Sequence, residues 1–250
     1  MASGALHRTH RKDGRATALR GTHASGQTQT GIHEAPDFNT TVMLGELCIP
    51  AGRFGSSEIC RRFWHFSPGF LAIAGACIPH QPPQITVTAA FIVSGILAAL
   101  AFRSQQKFRR ATEQNCRAAI VGYALAVMPL FVLFPTRPEP ALAAAGIMAF
   151  GDGSATLVGL LAGDRKLPWN SRKSWVGTAA YVLFALPVAT WIFWLGSAPH
   201  VSAEMALLCV GPAVLGSAMV ESLPLPGNDN IYVGLSLATI LFATNAAFVG

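Results

Sequence analysis

The sequence is poor in charge. Of its 250 residues only 12% are Asp, Glu, Lys or Arg, against 52% hydrophobic ones, a balance foreign to an ordinary water-soluble domain. It also lacks paired cysteines. Cys48, Cys60, Cys77, Cys116 and Cys209 lie far apart, so a zinc knuckle or redox pair is excluded and the five read as packing residues. There is no Gly-rich loop ending in Gly-Lys-Ser/Thr, and Gly151-Asp152-Gly153 has no strand before it as a dinucleotide site would require. A nucleotide could be held only by a membrane-embedded site of another design. No repeat of fixed period is present.

What the chain does have is long apolar runs, near residues 85 to 102, 118 to 134, 140 to 163, 175 to 196, 201 to 220 and 231 to 250. Each is close to the roughly 20 residues that a helix needs to cross hydrocarbon. Phe66 to Pro79 is shorter, about 14 residues, where a tilted span and a re-entrant segment read alike. The basic residues decide in favour of a span, because cytoplasmic loops retain Lys and Arg. Arg53, Arg61 and Arg62 precede the short run, Arg103 to Arg117 hold a second basic loop, and Arg165, Lys166, Arg172 and Lys173 hold a third, while the alternate loops hold Arg137 alone. Seven spans put all three clusters on one side. The expectation is therefore an all-α, polytopic membrane helix bundle of about seven transmembrane helices, amino end cytoplasmic and carboxyl end outside.

Residues 1–57 read as a basic, disordered N-terminal tail and 58–250 as the membrane-embedded domain. The tail has no apolar signal-peptide core. It can be a transit peptide, a segment touching anionic lipid, or sequence upstream of the true start, the last two being favoured.

Three polar constellations interrupt the apolar pattern. Asp152 stands inside a span, where a charge costs on the order of 2.5 to 3.5 kcal/mol on insertion scales and needs a polar partner or water. Gly151, Ala155, Gly159 and Gly163 recur every four positions, giving one small face for a neighbouring helix. On that alone Asp152 belongs equally to a packing helix, but it lies about three turns before Arg165, Lys166, Arg172 and Lys173. Acids that hold a divalent metal beside cations that hold phosphates are what phosphoryl transfer requires. Glu221, Asp229 and Asn230 flank the turn at Pro224, Pro226 and Gly227, on the side of the lysines; taken alone they are an interfacial loop. Arg61, Arg62 and His65 share that side and, taken alone, read as topogenic anchors with Trp64 at the interface.

Together these stretches resemble a known family. GDGSATLVGLLAGDRKLPWNSRKSWVGT (Gly151 to Thr178), VESLPLPGNDNIYVGL (Val220 to Leu235) and RRFWHFSPG (Arg61 to Gly69) are similar, in order, to the signature segments of the phytol, farnesol and dolichol kinases. The match runs over roughly residues 58 to 240 and is nearer the phytol kinase branch. It implies a membrane enzyme, with its active site on the cytoplasmic side, that moves the γ-phosphate of CTP to an isoprenoid alcohol drawn from the bilayer. Mg²⁺ is the implied cofactor, membrane lipids are implied surroundings, and no nucleic acid is implied.

On this resemblance Asp152, Lys173 and Asp229 are catalytic, and Asp152, Glu221 and Asp229 are the metal set. Lys166, Arg172, Lys173, Asn230, Arg61, Arg62 and His65 face the nucleotide phosphates. Two positions depart from the family: Asn228 stands where a further acid is common and Gly234 where a proline is usual. A bacterial cytoplasmic membrane is the expected location. A long-chain polyprenol kinase, a cytidylyltransferase making a CDP-lipid, and a small transporter using Asp152 as an ion site remain as alternative readings.

Overall fold

The computed structural model describes residues 41–44, 47–50, 56–108 and 116–249, with side chains over 65–103 and 120–249. The tail expected over most of 1–57 lies outside the described residues, apart from a short antiparallel pair, β1 (Thr41–Leu44) and β2 (Leu47–Pro50), and the first residues of a helix.

The architecture is an all-α bundle. In chain order the helices are α1 (Ser56–Ala76), α2 (Pro83–Phe108), α3 (Cys116–Leu133), α4 (Glu139–Gly146), a π-helical segment (Ile147–Asp152), α5 (Gly153–Ala162), α6 (Trp175–Gly196), α7 (Ala203–Ser222) and α8 (Asp229–Phe248). Because α4, the π segment and α5 run on without a break, the described residues form seven rods that alternate in direction. A hairpin of β3 (Lys166–Leu167) and β4 (Asn170–Ser174) joins α5 to α6.

Five of the rods are long and apolar enough to cross a membrane. Their outer faces carry large apolar side chains such as Leu183 (69% exposed), Met219 (67%) and Leu215 (59%). In water such faces are costly, at roughly 25 cal/mol per Å², and hydrocarbon removes that cost. The short run Phe66 to Pro79 proves to be the second half of a 21-residue helix that ends at Ala76, with three residues beyond it. Polar residues of its first turns, Glu58, Arg61 and Arg62, hide that length from hydropathy.

Local chemistry sets the helix ends. Ser174, Ser202 and Asn228 are N-caps of α6, α7 and α8, and their side chains accept from the backbone N–H of Gly177, Met205 and Asn230. Each such cap is worth about 1 kcal/mol. Close approach does the rest. A Cβ on Gly177 would stand 2.9 Å from the Ala155 carbonyl, and one on Gly234 would overlap the Gly122 carbonyl. The four-residue recurrence of small residues in α5 therefore does receive a neighbour, α6, and α3 crosses α8 with backbones nearly touching. Gly234, the departure from the family's proline, is the residue that this crossing demands.

The core is formed by α3, α4, α6, α7 and α8 around Leu130, Ile147, Met148, Tyr181, Phe193, Val210, Leu237 and Leu241. At the end of the bundle away from the hairpin, a polar latch closes the rods. Arg137 Nε donates to Glu139 Oε1 at 3.2 Å and Arg137 Nη1 to the Val249 carbonyl at 2.7 Å, while His80 Nε2 stands 3.6 Å from Glu139 Oε2. Glu139 is fully buried.

Candidate active site

The polar residues of the other end form three levels along the bundle axis. Asp152 is the deepest. It ends the π-helical segment, and a turn of that kind inserts one extra residue into a helix, rotating the remainder of the rod to a new face; such turns recur at functional sites. Asp152 lies ten residues before the end of α5, about 15 Å at 1.5 Å per residue. Its Oδ2 is 3.2 Å from Nε2 of His65 on α1, the two side chains being 20% and 27% exposed. Tyr123 of α3 donates from its hydroxyl to the His65 carbonyl at 3.3 Å and sets its ring edge-on to the imidazole.

Glycines bring these helices together. A Cβ on Gly153 would lie 2.6 Å from the Phe66 ring and one on Gly151 2.8 Å from the Tyr181 ring. Tyr181 is itself fixed, fully buried, by donating to Ser217 Oγ at 3.0 Å.

Lys173 is the middle level. It projects from β4 and donates to Glu221 at the end of α7 and, at 2.8 Å, to Asp229 Oδ2 at the start of α8. Burial alone would lower the affinity of this amine for its proton, but Glu221, Asp229 and, from below, Asp152 outweigh it and raise its pKa above the ordinary lysine value. The two acids favour the charged amine, and two of its three N–H donors are engaged by them, leaving one for an incoming oxygen. The hairpin that carries it is bolted to α7: Trp169 Nε1 and Asn170 Nδ2 both donate to the Ser222 carbonyl at 3.1 Å, and Asn170 Nδ2 also reaches the Leu223 carbonyl.

The third level is the rim. Lys166 and Arg172 are exposed on the hairpin, beside Asp164 and Arg165. Asn230 sits in the first turn of α8 with its backbone against Gly122 and its N–H taken by Asn228 Oδ1. Asn228 therefore serves as a cap, a task that the acid common in the family would perform as well. Arg61 and Arg62 lie on α1, and their side chains are outside the described residues.

Of the expected groups, two sets are brought together, Asp152 with His65 and Lys173 with Glu221 and Asp229. Lys166 and Arg172 remain on the rim. Among the described residues no three acidic, His or Cys side chains converge on a single cation position. Mg²⁺, however, is commonly held by one or two carboxylates with substrate phosphates, and Asp229, 38% exposed, and Asp152 each fit that smaller demand. Sequence reading missed Tyr123, Tyr181, Trp169 and Asn170. The tyrosines had left a signal in their scarcity: the chain has only three, and two of them stand in apolar runs beside the site.

The fold and site define a class: a polytopic α-helical protein of membrane character with an acid–lysine site opening at one end of its bundle. Within that class, about half of the chain is related to phytol kinases. It is 35% identical over 127 residues to a probable chloroplastic phytol kinase of Triticum aestivum, covering 48% of this chain and 42% of the relative. It is 30% identical over 124 residues to phytol kinase 1, chloroplastic, of Arabidopsis thaliana, covering 48% and 41%. It is 35% identical over 133 residues to the phytol kinase of Synechocystis sp., covering 51% and 55%. The chain thus matches about half of the length of these curated relatives or less. No protein-family model matches it, and no solved structure does.

Proposed function

We propose that this protein is an integral membrane phosphotransferase that moves the γ-phosphate of a nucleoside triphosphate to the hydroxyl of an isoprenoid alcohol, with phytol, farnesol and geranylgeraniol as the substrate class. The observation that carries the reading is the vertical order of the site. Rim cations Lys166 and Arg172 lie on the same hairpin as Lys173, and Asp152 with His65 lies about 15 Å from the end of α5, at a depth a lipid alcohol can reach from the side. The relationship to phytol kinases supports the same chemistry.

In this reading the triphosphate enters at the hairpin end. Lys166 and Arg172 attract it, and Lys173 donates its remaining N–H to a phosphate oxygen, neutralising charge where it gathers in transfer. A Mg²⁺ ion bound at Asp229 or Asp152 would supply further charge neutralisation of the phosphates. Asp152 orients the hydroxyl and accepts its proton. The alcohol oxygen bonds to the γ-phosphorus as the bond from that phosphorus to the β,γ-bridging oxygen breaks, and the nucleoside diphosphate leaves. The remaining task is alignment of the two substrates, worth several kcal/mol of barrier by itself. CTP is the proposed donor, and the hairpin end is proposed to face the cytoplasm of a bacterial cytoplasmic membrane, since Lys and Arg gather there.

The experiment is phosphate transfer in detergent with γ-labelled CTP or ATP and Mg²⁺, against farnesol, geranylgeraniol, phytol and a long polyprenol. Label in a prenyl monophosphate is the expected result. Folded protein that labels none of them refutes the proposal and turns attention to CDP-lipid synthesis or transport.

A further inference from the structure

An isoprenoid alcohol has a tail as well as a hydroxyl, and the surface that leads away from Asp152 and His65 is aromatic. Phe66 follows His65 on α1, and Phe70 is one turn deeper on the same face. Phe150 precedes Asp152 by two residues in the π-helical segment. The three rings form one group: Phe66 and Phe150 have centroids 5.7 Å apart and tilted, and Phe70 and Phe150 stand 5.4 Å apart and edge-on. They are not a sealed core, for Phe70 is 57% exposed and Phe66 and Phe150 are half-buried.

The direction of this group is fixed by the antiparallel run of α1 against α4 and the π segment. From His65 to Phe70 the rise is about 7.5 Å, away from the hairpin and toward the middle of the bundle. Gly69 permits the approach, since a Cβ there would meet the Phe150 ring at 2.5 Å. The polar pair and the aromatic trio are thus one continuous surface, polar at its upper end and open to the lipid side at its lower end.

We propose that Phe66, Phe70 and Phe150 seat the first isoprene units of the alcohol, so that the substrate lies with its hydroxyl at Asp152 and His65 and its tail along the seam between α1 and the π-helical segment. The proposal rests on the alcohol kinase reading and names where that substrate binds. Branched, unsaturated units suit this surface, because ring faces and edges meet flat alkenyl groups and methyls with large contact area. An apolar groove elsewhere, lined by Leu186, Pro187, Trp191, Trp194 and Leu207, has a volume of about 360 Å³. It starts five residues along α6 from Tyr181, the residue that packs on Gly151, about 7.5 Å deeper in the bundle, and its lining includes no residue of α1 or of the π-helical segment.

The test uses the full chain in nanodiscs and a farnesol analogue carrying a diazirine on its first isoprene unit, irradiated and mapped by mass spectrometry. Adducts within residues 65–70 and 147–152, suppressed by excess unlabelled farnesol, are expected. Adducts in the α6–α7 groove, or no suppressible adduct, overturn the seat. Phe70→Ala gives a second readout, because an exposed side chain can be truncated without opening the core. Its KM for farnesol should rise at least fivefold, with KM for the nucleotide unchanged and with little effect on a five-carbon prenol, whose single unit meets Phe66 and Phe150 and ends short of Phe70, about 7.5 Å beyond His65. Equal loss for both alcohols overturns the assignment. Suppressible labelling of the trio by a protein that phosphorylates no prenol would refute the kinase reading and leave the seat standing; phosphorylation with labelling elsewhere would do the reverse.

Discussion

The ammonium of Lys173 stands 2.8 Å from the carboxylate of Asp229, across 56 residues of sequence, and the same nitrogen donates to Glu221. One cation from a two-stranded hairpin thereby ties the ends of two helices that hydropathy alone would treat as independent spans.

Replacement of Lys173 by Met should therefore cost stability and activity for separable reasons. Glu221, 5% exposed in its side chain, would be left beside Asp229 without a cation, a loss of about 2 kcal/mol or more. Lys173→Met combined with Glu221→Gln should regain most of the thermal stability and none of the turnover. Recovery of turnover in the double variant would remove Lys173 from the phosphate path.

The pH dependence is set by the sign of the shift. The folded pKa of Lys173 lies above the ordinary value of 10.5, so the stability it adds is fully present below that value and is lost only as pH rises through the higher folded one. The difference in melting temperature between Glu221→Gln and Lys173→Met combined with Glu221→Gln, a pair in which no buried carboxylate is left to titrate in place of the amine, should stay constant from pH 7 to pH 10. A difference that shrinks by pH 9 would show that the amine is not held as a cation.

Asp152→Asn keeps the shape of the side chain and removes its charge. Turnover should fall at least a hundredfold, about 2.7 kcal/mol of barrier, while the protein remains folded and binds nucleotide. Measurement of turnover alongside size-exclusion behaviour checks this, and an active variant would exclude Asp152 as the group that orients and deprotonates the alcohol.

Gly122 and Gly234 test the crossing of α3 and α8. Gly234→Val should prevent recovery of folded protein, since even a Cβ there would overlap the Gly122 carbonyl oxygen. Gly95→Ala is the control: nothing lies within 4 Å of its added carbon, and its melting temperature should be unchanged or slightly raised. Equal behaviour of the two would mean that the helices do not cross as described.

Most of the rods were legible in the sequence because a membrane-spanning helix declares itself by length and apolarity, whereas α1 was read from the alternation of basic loops. The placement of Lys173 on the side of Glu221 and Asp229 was legible too, through the alternation of basic loops. The β3–β4 hairpin was not: in Asp164 to Ser174 the eye sees a basic loop, and the bonds that order it go from Trp169 and Asn170 to a carbonyl some 52 residues away. Nor was the π-helical segment, since one extra residue in a turn changes no composition. Arg137 read as a stray basic residue on the far side, whereas it pairs with a fully buried Glu139. Asn228 and Gly234 looked like weaknesses in the family pattern, and only the cap and the helix crossing give them their purpose.

The tie from Lys173 to Glu221 and Asp229 also sets an order of events in synthesis. The lysine emerges 48 residues before Glu221 and 56 before Asp229, so both acids arrive where their counter-ion is already waiting. The last two rods therefore complete the site as they enter the bilayer, and a nascent chain stalled before α8 would hold every basic group of the hairpin and no finished place to use them.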